Sequence, residues 1–127
     1  MFLGGKDSNG EIVDGIFILD YKTSSYEELP LKLLYKVYEH GAVCLDDEIY
    51  IFGGCRSEGD AINSTFKLGP EMKWEQLADM NECRYGISNS SVVYNGMIWV
   101  MGGSTDSKAL KSVEAYDPAN DEWIKKP

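Results

Sequence analysis

The chain has 127 residues, 43% of them apolar, which is long enough for one ordinary domain with a real core and too apolar for disorder. Twenty-one acidic residues against twelve basic ones give a formal charge of −9. Such a surface is repelled by phosphate backbones and anionic lipid, so neither nucleic acid nor membrane is an expected partner. It favours a protein partner with a basic face, although acidic surfaces often serve only solubility.

The chain opens on "MFLGG", an apolar strand running into Gly4-Gly5. A polar loop, "KDSNGEIVD", leads to a second strand, "GIFILD", and a turn leads to the aromatic-led segment "YEELP". Next come "HGAVCL" and the tight connection "DDE", then "IYIFGG" with Gly53-Gly54. After the loop "CRSEGDAINS" stand "TFKLG" and "WEQLAD". The last passage runs "SSVVY", "NG", "IWVMGG", "STDSKALKS", "VEAYD" and "WIKKP". The three glycine pairs recur at intervals of 49 residues, and Trp74 and Trp123 stand the same distance apart. Asn95-Gly96 is a hairpin signal, because a type I′ turn needs positive φ at both central residues.

The repeating unit is thus four short antiparallel strands with no helical periodicity, which means all-β. The divisions expected are a partial repeat over 1–30 and full repeats over 31–79 and 80–127. A double glycine behind an apolar strand, a downstream Tyr and a later Trp resemble the kelch repeat. The third unit fits best, with "IWVMGG", Tyr116-Asp117-Pro118 and Trp123. The second has "KLGP" where "YDP" would stand, and the first has Leu19-Asp20-Tyr21 and Tyr26 in place of the Tyr and Trp. The resemblance implies a β-propeller, whose four-stranded blades stack radially around a channel. A glycine strand covered by blades on both faces reads as unbroken hydrophobicity. Glycine permits backbone approaches that a Cβ would forbid, and large rings fill the space between blades. Trp74, Trp123 and Tyr116 are therefore expected in the core.

About three blades, the first lacking one strand, do not close a ring, which needs at least four blades of ~50 residues. Met1 to Leu3 begin inside a core strand without a polar cap, so the chain is expected either to self-associate or to join further blades.

Some propellers with kelch-like blades are enzymes, among them a copper-dependent oxidase and sialic-acid-modifying enzymes. His40, on the loop leading into "GAVCL", is the one histidine. Zinc sites usually space cysteines roughly two to four residues apart, whereas Cys44, Cys55 and Cys83 are far wider, and Cys44 alternates with Val43 and Leu45 as a buried thiol would. The glycine pairs lack the following helix that a phosphate loop requires. No cofactor, metal or catalytic role is expected. The odd, dispersed cysteines read as reduced thiols, and the expected location is cytoplasmic, with no basic stretch ahead of an apolar core at the N-terminus and no apolar run of transmembrane length. The triplets "NST" at Asn63 and "NSS" at Asn89 point weakly the other way.

The resemblance to kelch substrate adaptors implies recognition by the loop face. A basic residue leading into a blade maps to Arg84, followed by Tyr85. Positions behind the glycine pairs map to Cys55, Arg56 and Ser104, and a serine before the third strand maps to Ser64 and Ser112. Arg84 stands two residues further from its glycines than the adaptor spacing, and the second unit offers only "LYKVYEHG" there. The function implied is the substrate-recognition part of a cullin ubiquitin ligase adaptor of BTB-kelch type. An actin-binding kelch protein is the alternative.

Overall fold

A computed structural model describes residues 2–20, 22–29 and 31–127. Among the described residues there are eleven strands and no helix: β1 (Phe2–Leu3), β2 (Ile16–Asp20), β3 (Ser25–Glu28), β4 (Gly41–Leu45), β5 (Glu48–Phe52), β6 (Thr65–Leu68), β7 (Trp74–Gln76), β8 (Ser91–Tyr94), β9 (Met97–Met101), β10 (Val113–Asp117) and β11 (Glu122–Lys126). They form three antiparallel meanders, which we call blades 1 to 3: β1-β2-β3, β4-β5-β6-β7 and β8-β9-β10-β11. Blades 2 and 3 meet most closely where β4 lies against β8.

Register sorts the connections into two ends. Phe52 pairs with Thr65 and Ile49 with Leu68, so the glycine pairs and the long loops behind them gather at one end. The tight turns lie at the other. Asn95 and Gly96 both have positive φ (52° and 70°), the torsions of a type I′ hairpin, and Asp46 and Asp47 make the corresponding turn between β4 and β5 (51° and 62°).

The glycine strand β5 is second in its sheet, not at the edge, and Tyr50, Ile51 and Phe52 are buried on both faces. Its two faces supply two cores. Toward blade 3, Leu45, Tyr50 and Phe52 pack with Ile87, Ile98, Val100, Tyr116 and Trp123. Toward blade 1, Ile51, Ile62 and Phe66 pack with Ile16, Leu33 and Val37, with Trp74 partly buried against them. Trp74 and Trp123 each face the preceding blade. Trp123 Nε1 donates to Thr65 Oγ1 of blade 2 (3.0 Å), and Trp74 Nε1 donates to the Lys32 carbonyl (2.9 Å).

Gly53 and Gly54 explain the recurring pair. A Cβ on Gly53 would stand 2.5 Å from the Arg84 carbonyl, and one on Gly54 would stand 2.8 Å from the Tyr38 carbonyl, both at positive φ. The close approach serves a bond between blades: Gly54 N–H donates to the Arg84 carbonyl (2.8 Å), as Gly5 N–H does to that of Val37 (2.7 Å).

Exposure follows which neighbours a face has. β9 was read as apolar throughout, yet its exposure alternates: Ile98 and Val100 are buried against blade 2, while Met101 is 44% exposed, on the face with Val92 and the 63%-exposed Tyr94. Among the described residues no further strand covers that face. Tyr26, at the tryptophan position of blade 1, is 73% exposed because it turns toward a blade that would precede its own. Cys44, expected to be buried, is exposed. With Ala42 it lies on the side of β4 turned to blade 1, whose three strands leave that side open over a cavity of about 220 Å³ lined by Leu3, Ala42, Val43, Cys44 and Ile49. His40, on the loop leading into β4, is buried, and burial lowers its pKa against a bond to the Leu3 backbone.

Candidate interaction face

At the glycine end each turn continues into a short bridge. Tyr38 bridges Cys55, which bridges Ala61; one repeat later Tyr85 bridges Ser104, which bridges Ala109. Cys55 and Ser104, directly behind their glycine pairs, are therefore equivalent, as are Tyr38 and Tyr85. The two extra residues of the third repeat consequently fall after Tyr85, between it and β8. Arg84 then corresponds to the buried Val37, and the residue at the adaptor spacing is Gly86.

This corrects the expectation for Arg84. Its side chain is fully buried, and so is that of Glu114 on β10. Nη2 donates to Glu114 Oε2 (2.8 Å), Ser112 Oγ (3.0 Å) and Glu82 Oε2 (3.3 Å); Nη1 donates to the carbonyls of Gly102 (2.7 Å) and Ser112 (3.1 Å). Glu114 also accepts from the Asn81 backbone (2.7 Å), the Asn81 side chain (2.8 Å) and the Glu82 backbone (3.3 Å). A buried ion pair is tolerated when further hydrogen bonds occupy its remaining sites; here they occupy both Nη atoms and both Glu114 oxygens, while Arg84 Nε has no partner. The pair fixes the segment leading into blade 3 beneath its own glycine turn. Ser112 belongs to the same network, since its hydroxyl also donates to Glu82. That bond is the main cause holding the Glu82 carboxyl below its ordinary range.

The other expected residues spread over the same end. Arg56 is exposed and ion-paired with Asp60 (Nε to Oδ2, 3.0 Å). Ser64 is half-buried, its carbonyl accepting from Gly53 N–H (3.0 Å). Cys55 is 2% exposed, and burial pushes its thiol up despite hydrogen bonding from Tyr38. Tyr85 and Ser104 are half-buried.

Cys55 and Tyr85 meet at a cavity of about 530 Å³ that sequence reading did not anticipate. Its walls also include Lys6, Tyr38, Glu39, Glu58 and Asp106. Asp106 reaches from the blade 3 loop to accept from the Ala61 backbone of blade 2 (3.0 Å), tying the two loops together. Superposing the repeats would have flagged Tyr38 and Lys6, because they align with Tyr85 and Cys55. The loop carboxylates carry no such signal.

The family model described as the KLHDC2/KLHL20/DRC7 Kelch-repeats domain matches residues 1–127. The chain belongs to the kelch-repeat family. Its three open meanders are accordingly part of a kelch propeller, a fold that serves protein–protein interaction. Similar proteins include spermatocyte protein spe-26 of Caenorhabditis elegans, 35% identical over 78% of this chain and 18% of that protein. Beta-scruin of Limulus polyphemus is 35% identical over 69% of this chain and 10% of that protein, and Kelch-like protein 40 of Xenopus laevis 30% identical over 95% and 20%. The chain thus spans a fifth or less of these relatives' lengths.

Proposed function

We propose that this kelch segment recognises a protein partner through its glycine-end loops, as the substrate-binding part of a cytoplasmic ubiquitin ligase adaptor of BTB-kelch type. The observation that carries the reading is the cavity between Tyr38 and Tyr85, built from positions that directly follow or face two glycine pairs. Ligand sites favour such concavities at loop ends of a rigid scaffold, and tyrosine and arginine are favoured there. Arg56, Tyr85 and Ser104 supply the rim, Cys55 the buried wall and Ser64 a neighbouring loop position; Arg84 and Ser112 act beneath them as support. Among the described residues no group of three or more His, Cys, Asp or Glu side chains gathers as metal donors. The uncovered face of blade 3, with Val92, Tyr94 and Met101, is suited to another blade, either of a longer propeller or of a second copy.

Affinity capture with the chain and its Arg56→Ala/Tyr85→Ala variant tests the reading. A protein substrate of a cullin ligase should be retained by the parent and lost by the variant at unchanged fold, judged by circular dichroism. Retention of actin instead, lost in the same variant, would favour the cytoskeletal alternative. Equal capture by both would remove recognition from this cavity.

A further inference from the structure

The cavity's own chemistry says what it takes. Lys6, directly behind the first glycine pair, lies with Nζ 4.0 Å from the centroid of the Tyr38 ring, a cation–π distance. Tyr38 and Tyr85 hold equivalent places in successive repeats, through their bridges to Cys55 and Ser104. The residue equivalent to Lys6 in the next repeat is Cys55, so the chain sends no cation from that position to Tyr85. Among the described residues no other lysine or arginine lies over the Tyr85 ring. Yet three carboxylates, Glu39, Glu58 and Asp106, line the cavity against the single ammonium of Lys6. Neither Glu39 nor Glu58 has an ion-pair partner among the described residues, whereas nearby Arg56 is already tied to Asp60.

We propose that the cavity receives an arginine or lysine side chain from a basic segment of the protein partner, its charge set against Tyr85 and between Glu39, Glu58 and Asp106. The incoming group takes the place over Tyr85 that Lys6 takes over Tyr38. The inference rests on the loop-face reading above and adds the chemical class of the partner. The formal charge of −9 works in the same direction, steering a basic segment toward the chain before the cavity selects it.

The probes are acetyl-Gly-Ser-Arg-Ser-Gly-amide and the same peptide with citrulline, which keeps the shape of arginine without its charge. Each is titrated into the isotope-labelled chain while backbone amide resonances are followed. The arginine probe should move the resonances of Glu39, Tyr85 and Asp106 and bind roughly fivefold or more tightly than the citrulline probe. Glu58→Lys, on an exposed position, should weaken the arginine probe by a similar factor and leave the citrulline probe unchanged. Tyr85→Leu should do the same, and unchanged dispersion of the spectrum shows that either variant is folded. Equal binding of both probes at the cavity would overturn the cation proposal and leave loop-face recognition standing. Movement centred instead on Glu71 and Glu75 would overturn it as general attraction to an acidic surface. No movement with either probe would also overturn it, and the capture experiment above then decides the loop-face reading independently.

Discussion

Replacing Arg84 with alanine should unfold the chain more readily without acting at a binding surface. The side chain is fully buried and donates five hydrogen bonds, two of them to backbone carbonyls and one to the fully buried Glu114. Removing it leaves Glu114 charged and inside, held only by Asn81 and the Glu82 backbone. Breaking a buried pair in this way costs about 3–5 kcal/mol, a large part of the roughly 5–15 kcal/mol that holds a domain together. With a urea slope of about 2 kcal/mol per molar, the midpoint should fall by about 2 M. The double variant Arg84→Met/Glu114→Leu removes both charges and should recover roughly half or more of the loss, since an apolar pair leaves no stranded charge. Urea unfolding of the three proteins, followed by tryptophan fluorescence, gives both quantities. A midpoint for Arg84→Ala within the roughly 0.5 kcal/mol of an ordinary surface change would refute the reasoning. It would return Arg84 to the surface role that its spacing first implied.

Gly54→Ala should be far more harmful than Gly86→Ala. Both residues have positive φ, which costs an L-residue about 1–2 kcal/mol, but only at Gly54 would the new Cβ meet the Tyr38 carbonyl and the His40 side chain within 3 Å. Thermal melts of the two variants compare them, and equal losses would contradict the blade-to-blade approach. Cys44 should react with a water-soluble thiol reagent well before Cys55, because Cys44 is exposed while Cys55 is buried with its thiol pushed up. Faster labelling of Cys55, read by peptide mass spectrometry, would place the open side of β4 elsewhere. Acid should destabilise the chain partly through Asp121, whose carboxyl is held below its usual range by the Ala78 backbone N–H first and the Tyr116 hydroxyl second. A depressed carboxyl contributes stability above its unfolded pKa and loses it as pH falls through the folded one. The difference in urea midpoint between parent and Asp121→Asn should therefore shrink from neutral pH to below the ordinary aspartate range, and a constant difference would refute that linkage.

The repeat was legible because its causes are local. Glycine pairs, the Asn95-Gly96 turn and the tryptophans each answer to a torsion or a packing need that the sequence states directly. What escaped depended on neighbours. Cys44 reads as buried by alternation, and only the three-stranded form of blade 1 opens the side it occupies. The apolar run of β9 predicts two covered faces, and among the described residues only the face of Ile98 and Val100 is covered. Spacing alone points Arg84 outward, because the sequence shows its distance from Gly102 but not where the two extra residues lie. The bridge from Tyr85 to Ser104 places them after Tyr85 and turns the guanidinium inward. The cavity carboxylates sit on loops without a repeating pattern, so nothing in their spacing announces that they converge.

Recognition at the glycine end is the claim on which the functional account stands, and site-specific photocrosslinking tests it most directly. A photoreactive phenylalanine derivative at position 58 lies at the cavity, and one at position 71 lies on the β6–β7 turn at the opposite end. The account predicts a discrete protein adduct from position 58 and none from position 71 in the same cell extract. An adduct from position 71 alone would contradict it.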